Sequence, residues 1–238
     1  MKQNEIITDY YNKLWNSNIP NTIESVRSNL IFSAIQHHSI DMQNILEIGC
    51  GRGNLAALLA AQKKGDVVAV DLASVSQWKN LEDENENLHF ISGNIMKISF
   101  SQKFNLIISS EVIEHFPYES QGKFIKLVNQ LLTSKGYVIF TTPNSPISLK
   151  RLNDDNRQPI EAHLTSNQLR DLVIKENFNI LEHSFFRSTY LDAGILHLIC
   201  KKLHLLRLVY LPIIFPIINY IIKPSSSKIY QLIVLQKK

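Results

Sequence analysis

The stretch that decides the fold is Ile45-Leu46-Glu47-Ile48-Gly49-Cys50-Gly51-Arg52-Gly53-Asn54. A short apolar run contains Glu47, three glycines follow at alternate positions, and the alanine-rich residues 55–62 predict a helix. Glycine has no Cβ and accepts positive φ, so such a turn lets the backbone approach a ligand closely. The helix that follows directs its free N–H groups towards the same place. The pattern predicts a strand, a ligand-binding turn and a helix.

A carboxylate stands at the end of the next predicted strand. Residues 67–70 form a β-branched run that predicts a second strand, and Asp71 stands at its end. An acidic side chain about 20 residues after a glycine turn, at the tip of the second strand, is placed to accept both hydroxyls of a ribose. The predicted pocket therefore suits a nucleoside.

The glycine spacing separates two kinds of nucleoside cofactor. Dinucleotide-binding folds use G-x-G-x-x-G, whereas this chain has G-x-G-x-G with Asn54 at the place of the third glycine. Glu47 would repel a pyrophosphate but attract a sulfonium and an ammonium. A nicotinamide-dependent dehydrogenase is therefore the least favoured hypothesis. The stretch resembles motif I of the class I S-adenosylmethionine-dependent methyltransferases.

Composition limits the architecture and the compartment. The 238 residues, 45% of them hydrophobic, can bury one sizeable core, so we expect a single domain over 1–238. Two cysteines do not make a disulfide framework, which favours a reducing compartment. The first 15 residues have no apolar segment typical of a secretory signal. These features predict a cytoplasmic protein.

Charge is divided unevenly along the chain. Seven of the 25 basic residues and none of the 21 acidic residues lie from Ala193 onwards. The preceding part then holds 18 basic against 21 acidic residues, although the net charge of the whole is +4. A basic tail on a slightly acidic body indicates an anionic partner for the tail.

The remaining pattern predicts alternating helices and strands. Strands are expected at residues 88–92, 104–109, 137–142, 179–187 and 228–235, and helices at 119–132 and from 166 to about 177. Residues 134–136 are expected to end the helix before the fifth strand. Two further helices, near 5–16 and 23–37, form an N-terminal cap within 1–40.

Two later motifs strengthen the resemblance. EVIEHF at 111–116 follows the fourth strand, and FTTPN at 140–144 ends the fifth. With the glycine turn they resemble the class I methyltransferases grouped with ubiquinone and menaquinone biosynthesis enzymes, over roughly residues 10–187. The resemblance implies an α/β, Rossmann-like, doubly wound sheet of seven strands. Its last strand is expected to insert antiparallel between the fifth and the sixth.

The resemblance also implies cofactor-binding residues and a reaction. S-adenosylmethionine is expected to be bound by Glu47, Gly49, Gly51, Asp71, Leu72, Asn94, Ile95 and Glu111. Asn94 departs from the pattern, because many relatives have Asp there, but an amide oxygen can still accept from the adenine amino group. In such enzymes Tyr and Trp side chains on the N-terminal helices often contact the substrate. The alternative is that these side chains only pack on the sheet.

For catalysis, positioning of the acceptor supplies most of the rate, and a hydroxyl acceptor gains from a nearby base. His115 is the candidate base and Glu114 the candidate residue that orients it, or both merely cap the next helix. The prediction is O-methylation of a small-molecule or lipid-linked acceptor. N-methylation and C-methylation are the alternatives.

A metal-assisted site is a further alternative. Glu111, Glu114, His115 and His163 together resemble the ligand set of small-RNA 3′-end 2′-O-methyltransferases, where a metal would lower the pKa of the acceptor hydroxyl. The spacing after His163 differs from those enzymes and a second close histidine is lacking. We therefore expect no metal.

Residues 191–227 read as a hydrophobic, helical insertion before the last strand. Residues 208–222 are uncharged and contain Pro212 and Pro216, and Lys201, Lys202, Arg207 and Lys223 flank them. This segment is too short and too interrupted to span a bilayer, so it favours a surface contact with the inner face of the membrane through 195–223. A cap over the pocket and a homodimer contact are the alternatives. A nucleic-acid partner is disfavoured because aliphatic side chains, not stacking aromatics, alternate with the charges.

Overall fold

The computed structural model describes residues 2–17, 24–145, 158–186 and 230–238. These residues form α-helices α1 (Lys2–Trp15), α2 (Glu24–His37), α3 (Asn54–Ala60), α4 (Trp78–Glu84), α5 (Tyr118–Leu131) and α6 (Ser166–Lys175). The strands are β1 (Asn44–Ile48), β2 (Asp66–Asp71), β3 (Leu88–Ser92), β4 (Phe104–Ser110), β5 (Leu132–Pro143), β6 (Phe178–Phe186) and β7 (Tyr230–Lys237). Two 3₁₀ turns, Ile95–Lys97 and Ile113–His115, follow β3 and β4.

The strands form one sheet in the order β3-β2-β1-β4-β5-β7-β6. Strands β1 to β5 are parallel, and β7 runs antiparallel between β5 and β6. The predicted seven-stranded sheet with an inserted antiparallel last strand is confirmed. Ile48 aligns with both Val70 and Ser109, so the carboxyl ends of β1, β2 and β4 meet at one edge. Ligands in such sheets bind at this edge.

Successive residues of β1 enter different halves of the core. Ile45 packs into the cluster that contains Ile31 of α2 and Leu59 of α3. Leu46 packs into the cluster that contains Phe124 of α5 and Val173 of α6. Successive side chains of a strand point to opposite faces of the sheet, and both faces are covered here. Both Ile45 and Leu46 are therefore apolar. Truncation of Phe124, which is fully buried, would cost about 3–5 kcal/mol.

The start of β5 differs from the prediction. The sequence predicts that residues 134–136 end a helix and that the strand begins at Tyr137, whereas the strand starts at Leu132. Leu132 already pairs with Phe104, and the register shifts before Leu106 pairs with Tyr137. Lys135 has a φ of 62°, so the apparent turn is an irregularity within the strand.

The predicted helix 166–177 begins with a complete capping box. The Thr165 side chain accepts from the backbone N–H of Gln168, and the Gln168 side chain accepts from the backbone N–H of Thr165. This pair satisfies N–H groups that the first turn leaves without helical partners. Within the described residues, no helix is long and apolar enough to cross a membrane. The predicted insertion 191–227, with its basic flanks, lies outside the described residues.

Candidate functional site

The glycine turn after β1 has the backbone that its sequence predicts. Gly49, Gly51 and Gly53 have φ values of 76°, 52° and 84°. A Cβ at Gly49 would lie 2.2 Å from Cγ2 of Val112, the residue that precedes the turn Ile113–His115. Both the positive φ and the close approach therefore require glycine at position 49.

Asp71 holds this turn against the end of β2. Its Oδ2 accepts from the N–H of Gly51 at 2.8 Å, and its Oδ1 accepts from the N–H of Ala73 at 2.9 Å. Burial raises the pKa of Asp71, while the N–H groups of Ala73, Gly51 and Leu72 oppose the rise. Each carboxylate oxygen can accept a second hydrogen bond, so the predicted contact with ribose hydroxyls stays possible beside these bonds.

Glu47 and the residues after β3 complete the predicted nucleoside pocket. Glu47 is buried at the end of β1, and its charge adds to burial in raising the pKa of the Cys50 thiol. Asn94 Oδ1 accepts from the N–H of Met96 at 2.9 Å, which caps the turn Ile95–Lys97. Ile95, the first residue of that turn, is buried. The Asn94 oxygen thus retains one lone pair for an adenine amino group.

Helix α1 covers the glycine turn. A Cβ on Gly51 would lie 3.2 Å from the indole of Trp15, so the indole rests directly on this backbone. Arg52 Nε donates to the carbonyl oxygen of Trp15 at 3.0 Å and fixes the end of the helix. One turn earlier, the ring of Tyr11 stands edge-on to His115 with ring centroids 5.9 Å apart. The aromatic residues of α1 therefore lie over the predicted site.

Glu111 and Glu114 lie at the end of β4, as the motif predicts. Glu114 is 2% exposed, and its Oε2 accepts from the hydroxyl of Thr142 at 2.9 Å. Burial raises the pKa of Glu114 to about 8. Burial also raises the pKa of Glu111, to about 7, against the lowering effect of Arg27. Both carboxyls therefore bind protons in the neutral range.

His115 is oriented by the main chain and not by Glu114. Its Nδ1 lies 2.9 Å from the carbonyl oxygen of Ile160, and because a carbonyl can only accept, Nδ1 carries the proton. Nε2 of the neutral ring then holds the lone pair. It lies 4.0 Å from Glu114 Oε1, beyond hydrogen-bond distance. Burial lowers the pKa of His115, although the bond to Ile160 and the charge of Glu161 oppose this.

The predicted orienting role of Glu114 is thus taken by Ile160. The reason is that the Glu114 carboxyl is held by Thr142, and its main-chain carbonyl accepts from the N–H of Ala162 at 2.8 Å. Gln121, buried on α5, donates to the carbonyl oxygens of Ile113 and Ala162 and ties both segments together. Glu114 therefore fixes the loop that carries Ile160.

The alternative metal ligands are not assembled. His163 Nε2 is hydrogen-bonded to Oε2 of Glu161, two residues away, while Glu114 is bonded to Thr142. Among the residues that the structure describes, no group of three or more His, Cys, Asp or Glu side chains is arranged to hold a metal ion. His163 instead belongs to the segment that positions His115, since Glu161 adjoins Ile160.

Three further residues of this site were not predicted from the sequence. Arg27 reaches Glu111 from α2, with Nη1 3.7 Å from Oε2. Thr142 and Ile160 bind Glu114 and His115 from the end of β5 and from the loop before α6. The FTTPN motif pointed to Thr142, but no sequence signal marked Arg27 or Ile160.

Comparison with known proteins agrees with this geometry. A magnesium protoporphyrin IX methyltransferase from Synechocystis PCC 6803, solved with bound S-adenosylhomocysteine, superposes with a TM-score of 0.65 at 13% identity, covering 98% of this chain and 99% of that one. The sheet order and glycine turn thus define a class I methyltransferase fold. Residues 9–183 match the family described as methyltransferase domain, and the chain belongs to that family. The predicted family resemblance is confirmed.

The alignments with curated relatives cover only part of each chain. A ubiquinone biosynthesis O-methyltransferase of Hydrogenovibrio crunogenus is 26% identical over 163 residues, which are 66% of this chain and 62% of the relative. One of Rickettsia bellii is 28% identical over 148 residues, 60% of each chain. The chain therefore spans about three fifths of the length of the curated relatives it matches.

Proposed function

We propose that this protein transfers the methyl group of S-adenosylmethionine to a hydroxyl of a small-molecule or lipid-linked acceptor. The observation that carries the proposal is the His115–Ile160 hydrogen bond, which leaves Nε2 of a partly buried neutral imidazole as a proton acceptor at the carboxyl edge of the sheet. The family match and the O-methyltransferases among the relatives support the reaction type.

The residues present fit the cofactor. The turn at Gly49 and Gly51 presents backbone without a Cβ at the carboxyl edge of the sheet, under the cover of Trp15, and Asp71 supplies a buried carboxylate beside it. Gly49, Gly51, Asp71, Leu72, Asn94 and Ile95 would hold the adenosyl part, and Glu47 and Glu111 the charged amino acid part. When bound, S-adenosylmethionine supplies a methyl group already activated by its sulfonium, which the acceptor oxygen takes as the sulfide leaves.

The protein then has two tasks, positioning and proton removal. Tyr11 and Trp15 cover the site and exclude water, which strengthens electrostatic interactions within it. Burial raises the pKa of the Tyr11 phenol, so this side chain stays neutral and donates to Gln158. His115 Nε2 takes the proton of the acceptor hydroxyl, and Ile160 holds the ring in the tautomer that allows this.

Two experiments test the cofactor, the reaction and the acceptor atom one by one. Calorimetry with S-adenosylhomocysteine and NAD should show binding of the first and not of the second. Incubation with methyl-labelled S-adenosylmethionine and cell extract should then yield a labelled ether or ester. A labelled amine or a new carbon–carbon bond would replace O-methylation by the N- or C-methylation alternative. Binding of NAD without S-adenosylhomocysteine would overturn the proposal altogether.

A lipid-linked acceptor would require the enzyme to reach a membrane surface. The support is the sequence of 195–223, in which uncharged residues lie between basic ones. A cytoplasmic enzyme held at the inner face of the membrane is the corresponding location. The test is sedimentation with anionic vesicles at low salt, comparing the full chain with a variant whose residues 208–222 are replaced by a polar linker. If neither form sediments, light scattering of both decides whether the segment is a dimer contact.

A further inference from the structure

A polar side chain, Gln121, lies on the buried face of helix α5. Residues 121, 124, 125 and 128 recur at helical spacing, and all four are fully buried. The other three are Phe124, Ile125 and Val128, so the pattern of the helix calls for an apolar residue at position 121 as well. A polar group at a core position is costly unless it is hydrogen-bonded, and departures of this kind are expected at functional sites.

The amide of Gln121 faces three main-chain carbonyl oxygens. Its Nε2 donates to the oxygen of Ala162 at 2.7 Å and to those of Ile113 and Phe116 at 3.1 Å. Because a carbonyl can only accept, the NH₂ group must point towards this cluster and the amide oxygen away from it. The three carbonyls therefore fix the orientation of the side chain.

This orientation leaves an acceptor unsatisfied. Among the described residues, Oε1 of Gln121 is buried and has no hydrogen-bond partner. A buried polar atom without a partner lowers the stability of a fold, whereas an apolar side chain of the same shape would not bring that loss. Gln121 thus supplies hydrogen bonds to the three carbonyls at the expense of stability.

The three carbonyls belong to the two segments that meet at His115. Two of them lie on either side of His115 in the EVIEHF motif. The third is that of Ala162, which follows Ile160, the residue whose carbonyl oxygen accepts from Nδ1 of His115. The N–H of Ala162 also donates to the carbonyl oxygen of Glu114 at 2.8 Å. Both main-chain groups of Ala162 are therefore bonded, and Ile160, two residues earlier, is held beside the imidazole.

We infer that Gln121 is a positioning residue for the methyl transfer and acts through Ile160 on the tautomer of His115. The inference rests on the proposed function. Without the amide, the three carbonyls lose a common donor and the loop can move away from the imidazole. The hydrogen bond made by one ring nitrogen decides which nitrogen carries the proton. Loss of the Ile160 contact therefore populates both tautomers and reduces the fraction of protein in which Nε2 can accept a proton.

The experiment compares two near-isosteric substitutions on α5 in the full chain. Gln121→Met removes the amide beside the site, and Asn129→Leu removes one that donates to the carbonyl oxygen of Glu176 at the end of α6. Nitrogen-15 NMR of histidine-labelled protein reports the tautomer, and the signals of His115 are those missing from His115→Ala. Wild type and Asn129→Leu should have a protonated Nδ1 and an unprotonated Nε2. Gln121→Met should show an average of both tautomers.

Turnover should change together with the tautomer. With methyl-labelled S-adenosylmethionine and cell extract, Gln121→Met should transfer label about tenfold more slowly than wild type, as expected when one selective hydrogen bond is lost. Asn129→Leu should match wild type, and calorimetry should give all three proteins the same affinity for S-adenosylhomocysteine. A purely structural role of Gln121 would lower stability in urea without changing the tautomer, and this result would overturn the inference.

Gln121→Glu decides the question if Gln121→Met does not fold. Burial among three carbonyl oxygens disfavours the charged form of a carboxyl, so its pKa should rise and the protonated group should still donate. At a pH above the lowered pKa of His115, this variant should keep the wild-type tautomer until the introduced carboxyl ionises. Both tautomers should then appear, while wild type keeps one at the same pH. A tautomer that does not respond to this ionisation contradicts the inference.

The outcomes distinguish this inference from the proposed function. Equal turnover or an unchanged tautomer in Gln121→Met refutes the positioning role, while methyl transfer by the wild-type protein stands. Wild-type protein that binds S-adenosylhomocysteine but transfers no label refutes both.

Discussion

The Nδ1–H of His115 donates to the carbonyl oxygen of Ile160 at 2.9 Å, so the loop before α6 sets the tautomer of the imidazole. The proton-accepting nitrogen is thereby Nε2, which faces the side of Glu114 without bonding to it. Two separate segments, the EVIEHF motif and residues 158–165, must come together before His115 is held in this tautomer. Gln121 of α5 holds them together through the carbonyl oxygens of Ile113 and Ala162.

Replacing His115, the proposed base, should slow the reaction without weakening cofactor binding. His115→Ala should reduce turnover by about 10²–10⁴-fold, the usual contribution of a general base, while affinity for S-adenosylhomocysteine stays unchanged. Because burial lowers the pKa of His115, the wild-type rate should fall with acid only below the ordinary range of histidine, and the variant should lack this limb. His89→Ala, at an exposed position of β3, is the control. Undiminished turnover of the His115 variant would place the base elsewhere.

Removing the carboxylate of Asp71 should weaken cofactor binding for two reasons. Asp71→Ala loses the predicted ribose contact and also releases the N–H groups of Gly51 and Ala73. Calorimetry should show binding of S-adenosylhomocysteine weakened by about 1.5–3 kcal/mol, the range for hydrogen bonds to a charged group. Asp66→Ala, at the exposed start of the same strand, should bind as the wild type does. Equal affinities in both variants would count against Asp71 as a ribose ligand.

A side chain at Gly49 should destabilise the fold in two separable ways. Gly49→Ala introduces a Cβ 2.2 Å from Cγ2 of Val112 and places alanine at a φ of 76°. Overpacking costs about 1–3 kcal/mol, and the left-handed conformation costs about 1–2 kcal/mol more. Adding Val112→Ala to this variant should restore the stability lost to overpacking but not the stability lost to the left-handed backbone. Urea unfolding of the three variants measures both losses.

The control for Gly49 is a glycine without either constraint. Gly122 lies in α5, and a Cβ there would be 3.9 Å from the side chain of Leu172, which is ordinary contact. Gly122→Ala should be neutral or stabilise the protein by up to about 1 kcal/mol, because alanine is the better helix former. Similar losses in both single variants would mean that the turn geometry is not the cause.

Stability should decrease as pH rises through the neutral range. The folded protein keeps a proton on Glu114 up to about pH 8, whereas the unfolded chain releases it near the ordinary value of 4.5. Between these values the folded state binds more protons, so the free energy of unfolding falls by up to about 1.4 kcal/mol per pH unit and group. Glu114→Gln should therefore melt above the wild type at pH 8, with a smaller difference at pH 5. A difference that is the same at both values would show that Glu114 is not buried as a neutral acid; exposed Glu119→Gln is the control.

The fold could be predicted because its signals are local. The glycine turn, the β-branched run before Asp71 and the EVIEHF motif each lie within one strand-and-turn unit, and family resemblance supplied the strand order. The start of β5 was predicted wrongly because Lys135 and Gly136 have turn-forming composition. Pairing of Leu132 with Phe104 outweighs that local preference.

The site was predictable only in part, for a related reason. His115 and Glu114 stand in a motif, but their partners Ile160, Thr142 and Arg27 come from three other segments. Those contacts depend on the packing of α2 and of the loop before α6 on the sheet, which no short pattern encodes. Glu114 was predicted to orient His115 from the neighbouring position, whereas the hydrogen bond to the imidazole comes from Ile160, 45 residues away in sequence.

The position of β7 has a consequence for synthesis of the chain. This strand is made after β5 and β6, yet it is hydrogen-bonded to both and joins them into one sheet. While residues 230–238 are still being added, β5 presents an unpaired edge and β6 has no neighbour among the described strands. Such exposed edges invite pairing with other chains, and late non-local pairing slows folding. A ribosome-bound nascent chain thus contains its glycine turn and EVIEHF motif well before its sheet can be completed.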